Sequence, residues 1–108
     1  MDRTLETTFN RFKLIFNEKE LDRITCDEEN GNKIIIVDVH GMKCSAVERF
    51  VHNIITIVHA AFNLLIIHGY HGGTAIRDML RTGFIDSRVL SVAPDINNDG
   101  RTFLVCGA

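Results

Sequence analysis

Two His-Gly pairs, His40-Gly41 and His68-Gly69, are the residues of this sequence best suited to chemistry, and each closes a short apolar run. An imidazole titrates near neutral pH, so two in one cleft can divide the base and acid roles of phosphodiester cleavage. Asp38 stands two residues before His40. On an extended strand that spacing puts both side chains on one face, where the carboxylate can hydrogen-bond the imidazole and select its tautomer. After His68 the chain continues Gly69-Tyr70-His71-Gly72-Gly73-Thr74. Its glycines let backbone N–H groups approach a ligand closely, and a helix opening near Thr74 would turn its positive end toward the same place. Arg77, one turn into that helix, adds a charge-assisted contact to phosphate. Gly41, Gly69, Gly73, Thr74 and Arg77 are therefore grouped as the expected phosphate-binding residues, beside Asp38, His40 and His68 as the expected catalytic ones. Asp38, His40, His68 and His71 would also suit zinc or manganese, but no tight ligand spacing supports that set, and no metal site is assigned.

A strand-end histidine or a glycine turn is, taken singly, an ordinary structural feature. Their matched placement is what points to a cleft. The chain from Ile34 to Val39 is β-branched almost throughout, Leu64 to Ile67 is similarly apolar, and a helix lies between them. A strand, helix, strand unit closes by a right-handed crossover that makes its strands parallel, so both His-Gly pairs fall on the same sheet edge. Ligands of open α/β sheets bind beyond that carboxyl edge. The intervening helix has an apolar stripe of Val47, Phe50, Val51, Ile54, Val58 and Ala61, widened by Ile55 and Ile57, and Ser45 with Glu48 has the spacing of a capping box at its start. His52 and His59 fall off the stripe and are expected to be solvated.

The remaining elements follow in order. A short helix from Ala75 to Arg81 places Ile76, Met79 and Leu80 inward and stops at Gly83, and strands are expected over Val89 to Ala93 and Thr102 to Cys106. Before the first strand, apolar residues from Leu5 to Leu21 recur at helical steps up to Ile24, and Asp27 to Asn32 combines acidic residues with turn formers. The expected fold is a two-layer α/β sandwich, a βαβαββ mixed four-stranded sheet with two helices on one face. Residues 1–32 form an acidic, amphipathic helical extension and residues 33–108 the main domain. Ile34 and Ile36 make the second face of the first strand apolar as well, so a second covering layer is expected there, from the Phe-rich N-terminal segment or from a homodimer contact.

The 108 residues suffice for one domain's core. No run approaches the ~20 apolar residues of a bilayer span, and the first residues lack the basic and apolar regions of a signal peptide, so a cytoplasmic protein with no membrane partner is expected. Cys26, Cys44 and Cys106 are widely spaced and odd in number, which suggests neither a disulfide framework nor a structural zinc site. Residues 1–32 carry five basic and eight acidic side chains, whereas residues 33–108 carry seven and six. Neither part has the dense basic field of a tight, salt-dependent nucleic-acid binder, so charge leaves that partner open.

At these residues the sequence resembles the Smr family, the small MutS-related domain, whose marks are a Leu-Asp-x-His-Gly motif and a later His-Gly-x-Gly loop leading into a helix. Val37-Asp38-Val39-His40-Gly41 matches the first with Val for Leu, and Ile66-Ile67-His68-Gly69 matches the start of the second. The second loop departs from the common form: it is one residue longer and has His71 at the expected second glycine. A single Gly100 also stands where many members have a glycine pair. The resemblance covers about residues 33 to 106. It implies a two-layer α/β sandwich, nucleic-acid binding, and endonuclease activity that cleaves RNA or nicks DNA, with functional positions at Asp38, His40, His68, Gly69 and Arg77. A divalent Mg or Mn cofactor is compatible with that chemistry. The expected partner is RNA or DNA, with the chain a monomer or a homodimer paired through its N-terminal helix or open sheet face. The alternatives are a module that binds nucleic acid without cutting and a protein-interaction domain.

Overall fold

The structure, a computed structural model, describes residues 3–69 and 73–108. Helix α1 spans Arg3–Ile15 and a single turn, α2, spans Glu18–Leu21. Strands β1 (Ile24–Glu29) and β2 (Asn32–Asp38) precede helix α3 (Cys44–Ile57) and strand β3 (Phe62–Ile67). The short helix α4 (Ala75–Asp78) runs directly into a π-helical turn over Met79–Gly83, and β4 (Val89–Pro94) and β5 (Arg101–Cys106) complete the chain. The result is a mixed α/β domain with a five-stranded sheet in the order β1-β2-β3-β5-β4. Among the described strands only β2 and β3 pair in parallel.

The fifth strand corrects the expectation of four. Ile24–Glu29 forms an antiparallel hairpin with β2 in which Glu29 pairs with Asn32, so Asn30-Gly31 is a two-residue turn. Both turn residues have positive φ, 53° and 79°, as the primed turns of tight hairpins require. The acidic stretch is thus an edge strand, and its charges sit where an unpaired edge tolerates them. The N-terminal segment is also broken differently: α1 stops at Ile15 and Asn17 starts α2 with a capping box closed by Glu20.

Register assigns the two faces of the sheet. Ile24 and Cys26 of β1, Ile35 and Val37 of β2, Leu64 and Ile66 of β3, and Leu104 and Cys106 of β5 lie on one face. They join Phe12 and Phe16 of the N-terminal segment and Val47, Phe50, Val51, Ile54 and Ile55 of α3 in a single core. The Phe16 and Phe50 rings meet edge to face at 5.1 Å. The Phe-rich segment therefore packs on the same side as α3, which corrects the expectation that it would cover the face carrying Ile34 and Ile36. Residues of the first 32 supply an edge strand and core side chains to the same unit as the rest. Among the described residues no helix is long and apolar enough to cross a membrane.

Two details at α3 also differ from expectation. The helix begins at Cys44, Lys43 occupies the cap position, and no side chain caps it, so Ser45 and Glu48 form no capping box. At the other end it stops at Ile57, which leaves Ala61 outside the helix and exposed.

Candidate functional site

The parallel register pairs Asp38 with Ile67, so β2 and β3 end side by side, and the Val39 N–H bonds the Ile67 carbonyl at 2.9 Å to extend the pairing. Beyond this edge Gly41 and Gly69 take positive φ, 78° and 72°, turning each chain away from the sheet. A side chain at Gly69 would begin 3.7 Å from the His40 Cβ, so the two His-Gly turns lie within van der Waals reach. They line one cleft of about 770 Å³ with Met42, Lys43, Cys44, Ile67, Gly73, Ala75 and Ile76. The two histidines expected to share a cleft do share it.

Their surroundings are opposite. His40 is exposed at the cleft, and the Asp38 Oδ1 accepts both its backbone N–H at 3.1 Å and its ring Nδ1 at 2.5 Å. A carboxylate can only accept, so Nδ1 carries the hydrogen and Nε2 of the neutral ring keeps its lone pair for a reacting group. The Asp38 and His40 carbonyls are themselves held by Arg23, whose Nη1 donates to them at 2.9 and 3.4 Å. The Asp38 N–H in turn bonds the Arg23 carbonyl at 2.9 Å. Arg23 lies in the loop before β1, so the N-terminal segment fixes the strand end that carries the dyad.

His68 follows the parity of Ile66 onto the core face and is 6% exposed. Its Nδ1 lies 2.9 Å from the Gly69 carbonyl and must donate to it. Its Nε2 lies 2.9 Å from the hydroxyl of fully buried Thr102, and the Arg81 Nε donates to that hydroxyl at 3.2 Å. The hydroxyl hydrogen is then free to go to Nε2, giving a neutral ring with both nitrogens engaged. Burial lowers the His68 pKa from its ordinary value. The bond to Gly69 opposes this, the Arg81 and Arg77 charges reinforce it, and Asp99 opposes it more weakly. The N–H groups of His68 and Gly69 both bond the Gly100 carbonyl, at 2.9 and 3.0 Å. His68 thus ties the β3 loop to β5.

The residues expected to hold phosphate divide as well. Gly41, Gly69 and Gly73 line the cleft. Thr74 and Arg77 do not, and both are already engaged elsewhere. Thr74 donates to Asp78 at 3.0 Å, and Arg77 bonds Asp78 at 3.2 Å and Asp99 at 2.9 Å. The missed residue is Lys43, which lines the cleft at the uncapped start of the 14-residue α3. A helix start without a side-chain cap offers N–H groups and a positive dipole end to an anion. Its signal was the departure from the capping pattern: a lysine stands at the cap position, where Ser, Thr, Asp or Asn is preferred. His71, with Tyr70 and Gly72, lies outside the described residues.

Among the described residues no group of three or more His, Cys, Asp or Glu side chains is placed to hold a metal ion. All three cysteines are free, and burial pushes the Cys26 and Cys106 thiols up to about 11. His52, expected to be solvated, bonds Asp86 at 2.9 Å and stacks on Phe84 at 4.3 Å.

No protein-family model, no curated protein and no solved structure matches this chain.

Proposed function

We propose that the cleft receives a phosphodiester of RNA or structured DNA and that His40, oriented by Asp38, is the base that cleaves it, as the likeness to the Smr motifs led us to expect. The observation that carries the reading is the Asp38–His40 pair, with one ring nitrogen held by the carboxylate and the other, among the described residues, left for a ligand at the edge of the cleft. In this scheme His40 Nε2 takes the proton of the attacking hydroxyl, which is the 2′-OH in RNA or a water on DNA. As the oxygen–phosphorus bond forms, charge gathers on the phosphoryl oxygens, where Lys43 and the uncapped start of α3 stabilise it. Asp38 stabilises the imidazolium, which returns its proton to the departing oxygen. His68 positions the Gly69 turn. To serve as a second acid or base it must first give up one of its two hydrogen bonds. The free thiols accord with a cytoplasmic site of action.

One observation favours binding without cleavage: His68 and Arg77 are both engaged, which leaves His40 as the single uncommitted imidazole among the described cleft residues. Purified protein assayed on single-stranded RNA and on branched DNA, with and without Mg or Mn, separates the two readings. Cleavage that falls by about 100-fold or more in His40→Ala, with binding retained, supports catalysis. Retained binding with no cleavage in the wild type supports the binding module, and cleavage untouched by His40→Ala sinks the proposed base.

A further inference from the structure

The outward face of the sheet has an apolar centre that lies outside the core cluster. The registers place three rows on this face. The first carries Asp38, Ile67 and Arg101, the second Ile36, Leu65 and Phe103, and the third Ile34, Asn63 and Val105. None of these residues belongs to the core cluster or packs against it. Ile34, Ile36, Ile67 and Phe103 are half-buried, Leu65 at their centre is 9% exposed, and Val105 is 36% exposed.

We propose that this face is where two copies of the chain pair, sheet on sheet, about a two-fold axis that runs along β3. Such an axis lays β2 of each copy over β5 of the other. Row by row it sets Asp38 opposite Arg101, Ile36 opposite Phe103, and Ile34 opposite Val105. Ile67, Leu65 and Asn63 then meet their own counterparts. Apolar groups meet apolar groups and each charge meets its opposite, the self-complementarity a two-fold contact requires. An axis across the strands would instead set Asp38 over Ile34 and Arg101 over Val105, stranding both charges against aliphatic carbon.

The charges are available for this. Both His40 bonds fall on the Asp38 Oδ1, which leaves Oδ2 for a guanidinium. Arg101 has only a 4.0 Å contact with Asp95 for its Nη1, and its buried Nε has no partner. Five strands about 4.8 Å apart with a rise of about 3.3 Å per residue make a sheet face of roughly 24 by 20 Å, so two copies stacked over its whole width bury on the order of 1,000 Å², at the lower bound for a specific contact. A contact of this size is expected to be a reversible one. Nucleic acid fits the face poorly, since its cations, Arg101 and, beside Asp38, Arg23, are offset by Asp38 itself and by Asp27 and Glu29 of β1.

Sedimentation velocity of the intact protein from about 5 to 500 µM tests this without reference to any activity. The 12.2 kDa chain should move toward twice its mass as concentration rises. Phe103→Glu should abolish the shift, and so should Val105→Lys, whose site is exposed enough for the fold to tolerate it. Arg101→Glu should weaken pairing about 10-fold or more at low salt and less at high salt. A wild type that stays monomeric throughout overturns the proposal. So does a dimer that persists in folded Val105→Lys, including one lost on changing exposed Leu14 or Ile15 of α1, which would place the contact on that helix.

Discussion

Replacing Arg88 by alanine should cost about 3 to 5 kcal/mol of folding stability. The residue sits before β4, yet its guanidinium reaches back to the end of α3. Its Nη1 donates to the Ile55 carbonyl and, at 2.5 Å, to that of Val58, and its Nη2 donates to Ala60 at 2.9 Å. Its Nε donates to Gly107 at 3.0 Å, and the group lies 5.9 Å from the centre of the Phe62 ring. Ile55 and Val58 are 1% and 0% exposed, so water has little access to replace the lost donors there. Two stranded carbonyls at about 1 to 2 kcal/mol each, with about 0.5 kcal/mol for the charge at the helix C-terminus, account for most of the figure. Ala60 and Gly107 are half-buried and can turn to solvent, so they add little. Lysine offers one ammonium in place of the planar fork and should restore about 1 kcal/mol. Urea unfolding at pH 7 followed by circular dichroism measures all three proteins. A loss below about 1 kcal/mol for Arg88→Ala would refute the view that this side chain is the cap of α3.

Three further outcomes are expected. Burial holds the His68 pKa below its unfolded value of 6.5, so the unfolded chain binds the extra proton first. Stability should therefore be full above 6.5 and decline as pH falls from there toward the folded pKa, a slope that His68→Gln removes in urea titrations between pH 7.5 and 5. Burial pushes the Asp86 carboxyl upward, but the Arg88 N–H and His52 outweigh it and leave it below 3.8. Its contribution is present above that value and lost as pH falls through the folded pKa, and His52→Ala should shift acid unfolding to higher pH. Arg23→Ala should leave the thermal melt close to wild type while lowering any cleavage by about 10- to 100-fold through a displaced dyad, with little change in substrate binding.

Much of the positioning was legible in the sequence because it depends on local rules. Parallel pairing of β2 with β3 followed from two apolar runs around one helix, and the meeting of Asp38 with His40 followed from a spacing of two on a strand. What escaped depended on long-range partners or on charge. β1 is hidden because Asp27 to Glu29 carries acids, although Asn30-Gly31 after it is a tight hairpin signal. Arg88 and Arg23 reach residues far away in sequence, and no periodicity reports that. Arg77 had the charge and position of a phosphate ligand, but Asp99, 22 residues on, takes it up.

The two His-Gly pairs share their sequence pattern and one edge of the sheet, yet the fold separates their tasks by strand parity. Asp38 and His40 emerge from the outward row of β2, so the imidazole meets solvent and its carboxylate partner stands on the open face. His68 emerges from the inward row of β3, so its imidazole enters the core, becomes neutral and binds Thr102. A one-residue change of register in either strand would exchange these environments. The same parity puts the Asp38 Oδ2 on the proposed pairing face while Oδ1 holds His40. A second copy bringing Arg101 to Oδ2 would compete for the carboxylate and loosen its hold on the orientation of the His40 ring. Pairing and any cleavage are therefore expected to be linked: activity per chain should fall with rising concentration in the wild type and stay constant in Val105→Lys.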